Sequence, residues 1–575
     1  MTCRGLRHRM SDRPRPLATA LDAAVAVAGL WVAFAVAQTW GARLRHPYDL
    51  EWMEGGMLAH AWRLQHGLPL YPDPGPDWMP YVYPPGYAAL LAAAGRLTGL
   101  DYPVGRALSI AGVTAAAAAI AVAVRRQGGS LALGVAVAAV FLGCYPASGA
   151  FYDLVRNDGV AVGLLAWAIV VGLQPNGRAP ERAGLLLAAA FAVKHHSAAY
   201  GLPLALGIWA RDGWRAAARF TAAAAVPAGL FTLAAEFATD GRFLAWILGV
   251  PASHPMVGDR LFPGALIEAG GWLLPAAATC ALALALPLPR AARAVSVALG
   301  AAAAAAVTLA PVPKGIPTSA PWAAAAMGFA VGLGGAAAAA RLVADGRTPR
   351  WTWVYGAGVG AVAWITAGLM RAHHGGFVNV WIPLHWAIAL GFGVSVVALR
   401  RRFPGPVAHG TTAALLAAQL LWLGQRGELD RLRPTAADVA AGDAVVAQVR
   451  DGCGDGPVLS PWAPWIAVQA GHAPSWHLIA LWDVDHPGSP FTAHRASLKQ
   501  AFAEHRWACV VDGGNGQLGF GAEASYPVST RFRLPVPAPG ASPDDRAAAK
   551  AALLPKTGWR VRPTALRTPA RTEAP

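Results

Sequence analysis

The chain has 575 residues, 55% of them hydrophobic and only 14% charged. A soluble globular domain carries about 25% charged residues, so this composition excludes that class and points to an integral membrane protein. The formal charge of +16 comes almost wholly from Arg, but the arginines fall in short loops between apolar runs, which fits a membrane topology better than nucleic-acid binding.

The basic N-terminus (1–16) leads into an apolar run at 17–40 with no small-residue cleavage site after it, and reads as an uncleaved anchor. Further runs able to span a bilayer fall near 103–124, 131–148, 157–173, 183–194, 197–210, 217–237, 265–286, 294–311, 320–340, 351–370, 378–399 and 410–423, about thirteen spans in all. With the N-terminus inside, one set of loops collects Arg125, Arg126, Arg178, Arg182, Arg211, Arg215, Arg219, Arg290, Arg293, Arg341, Arg347, Arg350, Arg400, Arg401 and Arg402. The opposite loops collect Asp49, Glu51, Glu54, Asp73, Asp77, Asp153, Asp240 and Asp259. This is the positive-inside pattern of a polytopic helical bundle in the cell's inner membrane. It holds only if 183–210 forms two short spans that meet at Lys194 on the outer face.

The first outer loop, 41–102, is long and rich in proline, and loops of that length are usually functional or separately structured. Within it, 56–65 and 86–97 have amphipathic helical spacing suited to lying along the membrane interface. After residue 427 the composition turns to charge, Pro and Gly. Here we expect a small extracytoplasmic α/β domain over 428–540, with helices at 436–450 and 493–505 and strands at 457–460 and 507–512. Residues 541–575, rich in Pro, Ala and Arg, read as a flexible tail. Cys453 and Cys509 share the outer domain, where oxidation is allowed, but spacing alone does not decide whether they pair.

The chemistry-bearing residues cluster at the outer edges of the spans. Glu51 and Glu54 share a helix face, with Asp49 beside them, and a partly buried carboxylate there is a general base for an acceptor hydroxyl. Their other reading is a solvated helix start. In the next outer loop Asp153 and Asp158 flank Arg156; Asp158 reads equally as an N-cap, and Asp153 as a second carboxylate that orients the acceptor or binds a cation. Lysine is rare: Lys194 and Lys314 alone precede residue 430. Lys194 and Arg371, with His195 and His374, are candidates for holding a donor phosphate, against snorkelling as the alternative for the lysine. Asn379 reads as a sugar ligand or a helix cap. Tyr83 and Tyr87 line a sugar or lipid path or anchor the interface. No cofactor is named by these residues, and a divalent metal stays open.

Taken in order, these features resemble a C-type (GT-C) membrane glycosyltransferase of the family 39 group, which includes protein O-mannosyltransferases and the aminoarabinose transferases of lipid A. The resemblance rests on Glu51-x-x-Glu54-Gly55 after the first span, Gly67-Leu68-Pro69-Leu70-Tyr71 and Tyr83-Pro84-Pro85-Gly86-Tyr87 in the long loop, the 153–158 segment, Lys194, and Gly375-Gly376-x-x-Asn379. It covers roughly residues 15–425. It implies a mostly α polytopic fold, a polyprenyl-phosphate-linked sugar donor, an extracytoplasmic site and a catalytic carboxylate in the first outer loop. Many members carry an Asp-Glu pair there; this chain has Met53-Glu54, so Glu51, Glu54 or Asp49 is left as the base. The acceptor is a lipid, a glycan or a protein. Two other readings stand beside this one. A transporter or flippase would place ionisable groups at midspan and not at the outer edges. A non-catalytic envelope assembly protein would use the outer domain to bind a partner.

Overall fold

The computed structural model describes residues 16–175, 177–310, 321–344, 350–373, 375–426, 428–513, 518–537, 540–557 and 562–570. Residues 1–15, Lys314, Arg347 and His374 lie outside them. Helix α1 (Pro16–Leu44) leads into the long loop, which folds α2 (Glu54–Gln65) and α3 (Gly86–Thr98). Then come α4 (Tyr102–Arg126) and α5 (Leu131–Gly143), N-capped by Asp101 and Ser130, whose side chains accept from Tyr102 N and Leu133 N. The bundle continues through α6 (Asn157–Gly172), α7 (Ala179–Val193), α8 (Gly201–Asp212), α9 (Trp214–Ala238), α10 (Val250–Ser253), α11 (Ala265–Ala285), α12 (Arg290–Leu309), α13 (Pro321–Ala344), α14 (Arg350–Ala372), α15 (Ile382–Arg402) and α16 (Pro406–Arg426).

Eight of the described helices are long and apolar enough to cross a membrane, or nine if a bent pair around residue 270 counts as one span. The expected count of about thirteen is not confirmed among the described residues. Helices α6, α7 and α8 have 16, 15 and 12 residues, and an upright crossing takes about 20. The two-helix reading of 183–210 is what folds: α7 and α8 meet in a 3-10 turn at His195–Tyr200, directly after Lys194. At the far end of α8, Arg211 donates to Gly172 O and Gln174 O. Arg400 reaches that same basic end, where it pairs with Asp22 at 2.7 Å. Helices α4 and α6 pack closely beneath the site. A methyl placed at Gly163 would sit 2.5 Å from Gly112 O, and one at Gly159 2.5 Å from Ser109 O. The small residues let the two backbones touch, as glycine pairs four apart do in membrane helices.

The outer domain contains α17 (Ala436–Cys453), β1 (Val458–Leu459), α18 (Pro464–Gln469), α19 (Leu478–Val484), α20 (His494–Ala503), β2 (Cys509–Gly513), α21 (Ala522–Ser525), β3 (Val528–Arg531), α22 (Pro543–Lys550) and β4 (Pro563–Arg567). Its sheet runs β1-β2-β4-β3. β1 and β2 are parallel, with Val458 opposite Cys509, and β4 is antiparallel to both β2 and β3. Cys453 and Cys509 form a disulfide that joins the last turn of α17 to β2. The segment expected to be a flexible tail is instead part of this sheet. β4 is an inner strand, its Ala565 and Leu566 are buried, and Arg567 pairs with Asp512 at 2.9 Å. Two buried apolar residues suffice for an inner strand, and Pro- and Arg-rich flanks hide them. After α22 the chain returns to the first loop, where Lys556 N and Thr557 N both donate to Leu50 O.

The outer domain and the first loop share one hydrophobic core. Trp52, Met57, Leu58, Trp78 and Tyr81 pack with Trp462, Trp465, Trp476, Leu478 and Leu481. Trp476 Nε1 donates to Pro76 O and His477 Nε2 to Trp52 O. As a result α2 does not lie along the membrane interface as its pattern suggested. All of Glu54–Ala61 is buried, because Trp465 closes on Gly55 from one side and Tyr81 on Gly56.

Candidate active site

Two buried arginine latches hold the floor of the site. Arg106 on α4 donates Nε and Nη2 to the two Glu54 oxygens at 3.0 and 2.9 Å, and its remaining N–H groups to Arg43 O, His46 O and Tyr48 O. Glu54 also accepts from Leu50 N, Glu51 N and Val155 N. Burial pushes the Glu54 carboxyl up, but the Arg106 guanidinium and these N–H groups outweigh it and hold it below the ordinary range. Arg43 on α1 makes the second latch, a two-pronged bond to Asp153 at 2.6 and 3.1 Å. Tyr145 Oη also donates to Asp153, at 2.9 Å. Glu54 and Asp153, both expected as candidates for the chemistry, have their oxygens taken by these protein donors.

Above the latches the loop residue Glu51 meets the start of α6. Arg156 Nη1 lies 3.5 Å from Glu51 Oε2, Nη2 donates to Tyr83 Oη at 3.1 Å, and Nε stands 3.8 Å from Asp158 Oδ2. Asp158 Oδ1 takes Lys194 Nζ at 2.6 Å and Asn379 Nδ2 at 2.9 Å. Thus Glu51, Tyr83, Arg156, Asp158, Lys194 and Asn379 form one connected group, drawn from the first loop, α6, the α7–α8 turn and the 3-10 turn before α15. Several of its polar atoms are buried without a hydrogen-bond partner: Arg156 Nε, Asp158 Oδ2, His196 Nδ1 and Ser197 Oγ. Unsatisfied polar atoms are costly in a folded interior, and they cluster where a ligand completes the site. A water-sized cavity of about 10 Å³ opens between Asp158, Lys194, His196 and Ser197.

Glu51 differs from its neighbours. Of its two oxygens, Oε2 accepts from Met53 N and faces Arg156. Burial pushes its carboxyl up to about 7, with the negative Glu54 adding to the effect and Arg156 opposing it. A carboxyl poised near neutrality takes and releases a proton at working pH. Asp49 is more tightly held. Its Oδ1 accepts from Gly55 N at 2.8 Å and Tyr102 Oη at 3.0 Å, and burial, with Glu54 nearby, pushes its carboxyl well above the ordinary range.

The remaining expected residues divide. Arg371 is not in the group: it is bound by both η nitrogens and Nε to Glu268 and Gly376 O, and Glu268 also takes Trp381 Nε1. His195 carries a buried Nδ1 without a partner. Tyr87 does not line an open path; it is buried, with its hydroxyl donating to Gly105 O. His374 lies outside the described residues. Among the described residues, no three His, Cys, Asp or Glu side chains converge as a metal ion's ligands would. Two groups escaped the sequence reading. Arg106 carried a signal, since a charge inside an otherwise apolar span needs a buried partner; Arg43, beyond the first apolar run, carried none. Asp483, on α19, carried none. Burial pushes its carboxyl up to about 7, and His254 Nε2 lies 3.9 Å away.

No protein-family model matches the chain, and no curated protein does. Two crystal structures of ArnT from Cupriavidus metallidurans are similar to it. The form bound to undecaprenyl phosphate is 15% identical, with a TM-score of 0.39 over 77% of this chain and 85% of that one. The apo form is 14% identical, with a TM-score of 0.38 over 84% and 92%.

Proposed function

We propose that the protein is a membrane glycosyltransferase that moves a sugar from a polyprenyl-phosphate donor to an acceptor hydroxyl, on the extracytoplasmic face of the inner membrane. The observation that carries this reading is Glu51: a buried carboxyl held near neutrality, one residue group away from Arg156 and Lys194. In the reaction the acceptor oxygen attacks the anomeric carbon as the carbon–oxygen bond to phosphate breaks. Glu51 takes the hydroxyl proton, and the polyprenyl phosphate leaves with the bonding pair. Its charge falls beside the Arg156 guanidinium and the Lys194 ammonium, fixed donors that stabilise a departing anion. Phosphate needs no separate acid to leave, and attack from the opposite face inverts the anomeric centre. Asn379 steadies Asp158, which in turn holds Lys194 in place. The disulfide in the outer domain supports the extracytoplasmic assignment, because such bonds persist in oxidising compartments.

Deleting the gene and profiling envelope glycans and lipid-linked sugars by mass spectrometry tests the reading. The expected result is accumulation of one polyprenyl-phosphate sugar with loss of one glycan, reversed by the wild-type chain and not by Glu51→Gln. Full complementation by Glu51→Gln overturns it.

A further inference from the structure

A second cavity, of about 300 Å³, shares no residue with the group around Glu51. One of its walls is made where three candidate spans end beside the C-terminal domain. Pro146 and Gly149 follow α5, Phe377 precedes α15, and Arg431 and Leu432 lie just past α16. The other wall is the segment after α22, with Leu554, Pro555 and Lys556. Thr557 Oγ1 donates to Gly149 O and joins the two walls. The ends of apolar spans sit at the depth of lipid headgroups, and so does this cavity. Among the described residues its lining holds two cations, Arg431 and Lys556, and no acid. Both cations have partners outside the lining and keep further donors. Lys556 Nζ gives one of its three N–H groups to Asp438 at 2.8 Å. Arg431 pairs with Glu428 at 3.1 Å, with the two side chains 59% and 73% exposed, and a pair in water is worth little.

We propose that this cavity binds the phosphate of an anionic phospholipid headgroup. The proposal goes beyond the transferase reading and does not depend on it. A phosphodiester brings one negative charge and acceptor oxygens, which guanidinium and ammonium groups recognise. A basic pocket between the ends of membrane helices is where such headgroups are held. The volume is at the lower limit of small-molecule sites. It admits a phosphate with its short polar substituent and leaves the acyl chains in the bilayer, while Phe377, Leu432 and Leu554 supply apolar cover for the glycerol carbons. Both walls are tied to the floor of the candidate active site. Leu432 O takes Arg43 Nη1 at 2.9 Å, and Arg43 holds Asp153. Lys556 N and Thr557 N hold Leu50 O, next to Glu51. A headgroup bridging Arg431 and Lys556 therefore fastens the C-terminal segment to the span ends and steadies its bonds to Leu50.

The test uses the full-length protein, stripped of lipid in detergent and followed by native mass spectrometry. The probes are phosphatidylglycerol, phosphatidylcholine and, as soluble sources of the same group, glycerol 3-phosphate and inorganic phosphate. One phosphatidylglycerol is expected to be held about tenfold or more tightly than phosphatidylcholine, whose choline brings a positive charge toward the two cations. Arg431→Gln, at an exposed position, weakens that binding about tenfold or more through loss of a charged donor. Leu554→Trp fills the cavity and removes the preference. Arg495→Gln, which breaks a surface pair with Asp485 and does not touch the cavity, leaves it in place. In hydrogen exchange the Lys556 and Thr557 amides are expected to slow with phosphatidylglycerol and not with phosphatidylcholine. Equal retention of the two lipids, wild-type retention by Arg431→Gln or Leu554→Trp, an equal loss in Arg495→Gln, or glycerol 3-phosphate or inorganic phosphate bound as tightly as phosphatidylglycerol overturns the proposal. Unchanged exchange of the two amides overturns its link to Leu50. None of these measurements involves turnover, so failure of the transferase reading leaves them unaffected.

Discussion

Glu51 and Glu54 lie three residues apart, and the fold gives them different partners. Glu54 is one half of a buried ion pair whose other half, Arg106, is fully enclosed. Removing its charge leaves Arg106 uncompensated, a loss of about 3–5 kcal/mol in comparable buried pairs. Glu54→Gln is therefore expected to lower the melting temperature sharply in detergent, while Glu51→Gln melts like the wild type. If Glu54→Gln melts normally and only transfer is lost, the two assignments are exchanged. Glu51 also sets a pH dependence. A base works when deprotonated, and its folded pKa is about 7. So kcat/KM rises with pH, about tenfold per unit below 7, and levels off above it. A profile flat from about pH 5 to 8 rules out Glu51 as the base. The sequence displayed Glu51, Lys194 and Asn379 because rare polar residues stand out against an apolar background. It did not display which acid each cation takes. Asp153 and Asp158 are equally plausible partners along the chain, and only the packing of α1 and α6 sends one to Arg43 and the other to Lys194.

At the scale of elements, the site's precision depends on α4 and α6 touching. α4 brings Arg106 and α6 begins at Asn157, just after Arg156, so their separation sets the distance from the latch to the group around Asp158. Gly163→Val places three extra carbons against the backbone at Gly112 O, and overpacking of this kind costs about 1–3 kcal/mol. The expected outcome is a folded protein with a lower melting temperature and a loss of transfer greater than the loss of stability, measured on the same preparation. An unaffected transfer rate would show that the contact does not position the site. The helices were legible where periodicity or a rare residue marked them: α2 and α3 appear where their spacing placed them, and Lys194 marked the turn between α7 and α8. The environment of α2 was not legible. Amphipathic spacing identifies a face that wants cover, and the cover came from Trp465 of a distant domain instead of from lipid.

For the molecule as a whole, the C-terminal domain is not a separate appendage, since its core and that of the first loop are continuous. Its stability therefore becomes the site's stability. The Cys453–Cys509 disulfide closes a loop of 56 residues, and a bridge of that span contributes about 4 kcal/mol in the chain-entropy account. Replacing both cysteines by serine is expected to lower the melting temperature and, through displacement of α19, the rate of transfer together. A double variant with wild-type activity at raised temperature would show that the sheet holds without the bridge.

The contact of Lys556 and Thr557 with the Leu50 carbonyl has a bearing on biosynthesis. Leu50 is the neighbour of Glu51, and its amide is already gripped by Glu54. The opposite grip comes from residues that leave the ribosome long after every membrane helix has been inserted, on the way to a strand that fills the middle of the sheet. A nascent chain halted before that point carries its helices without the bonds from Lys556 and Thr557 to Leu50. For the transferase proposed above, the backbone clamp beside Glu51 is thus completed only by residues made after all the helices of the bundle.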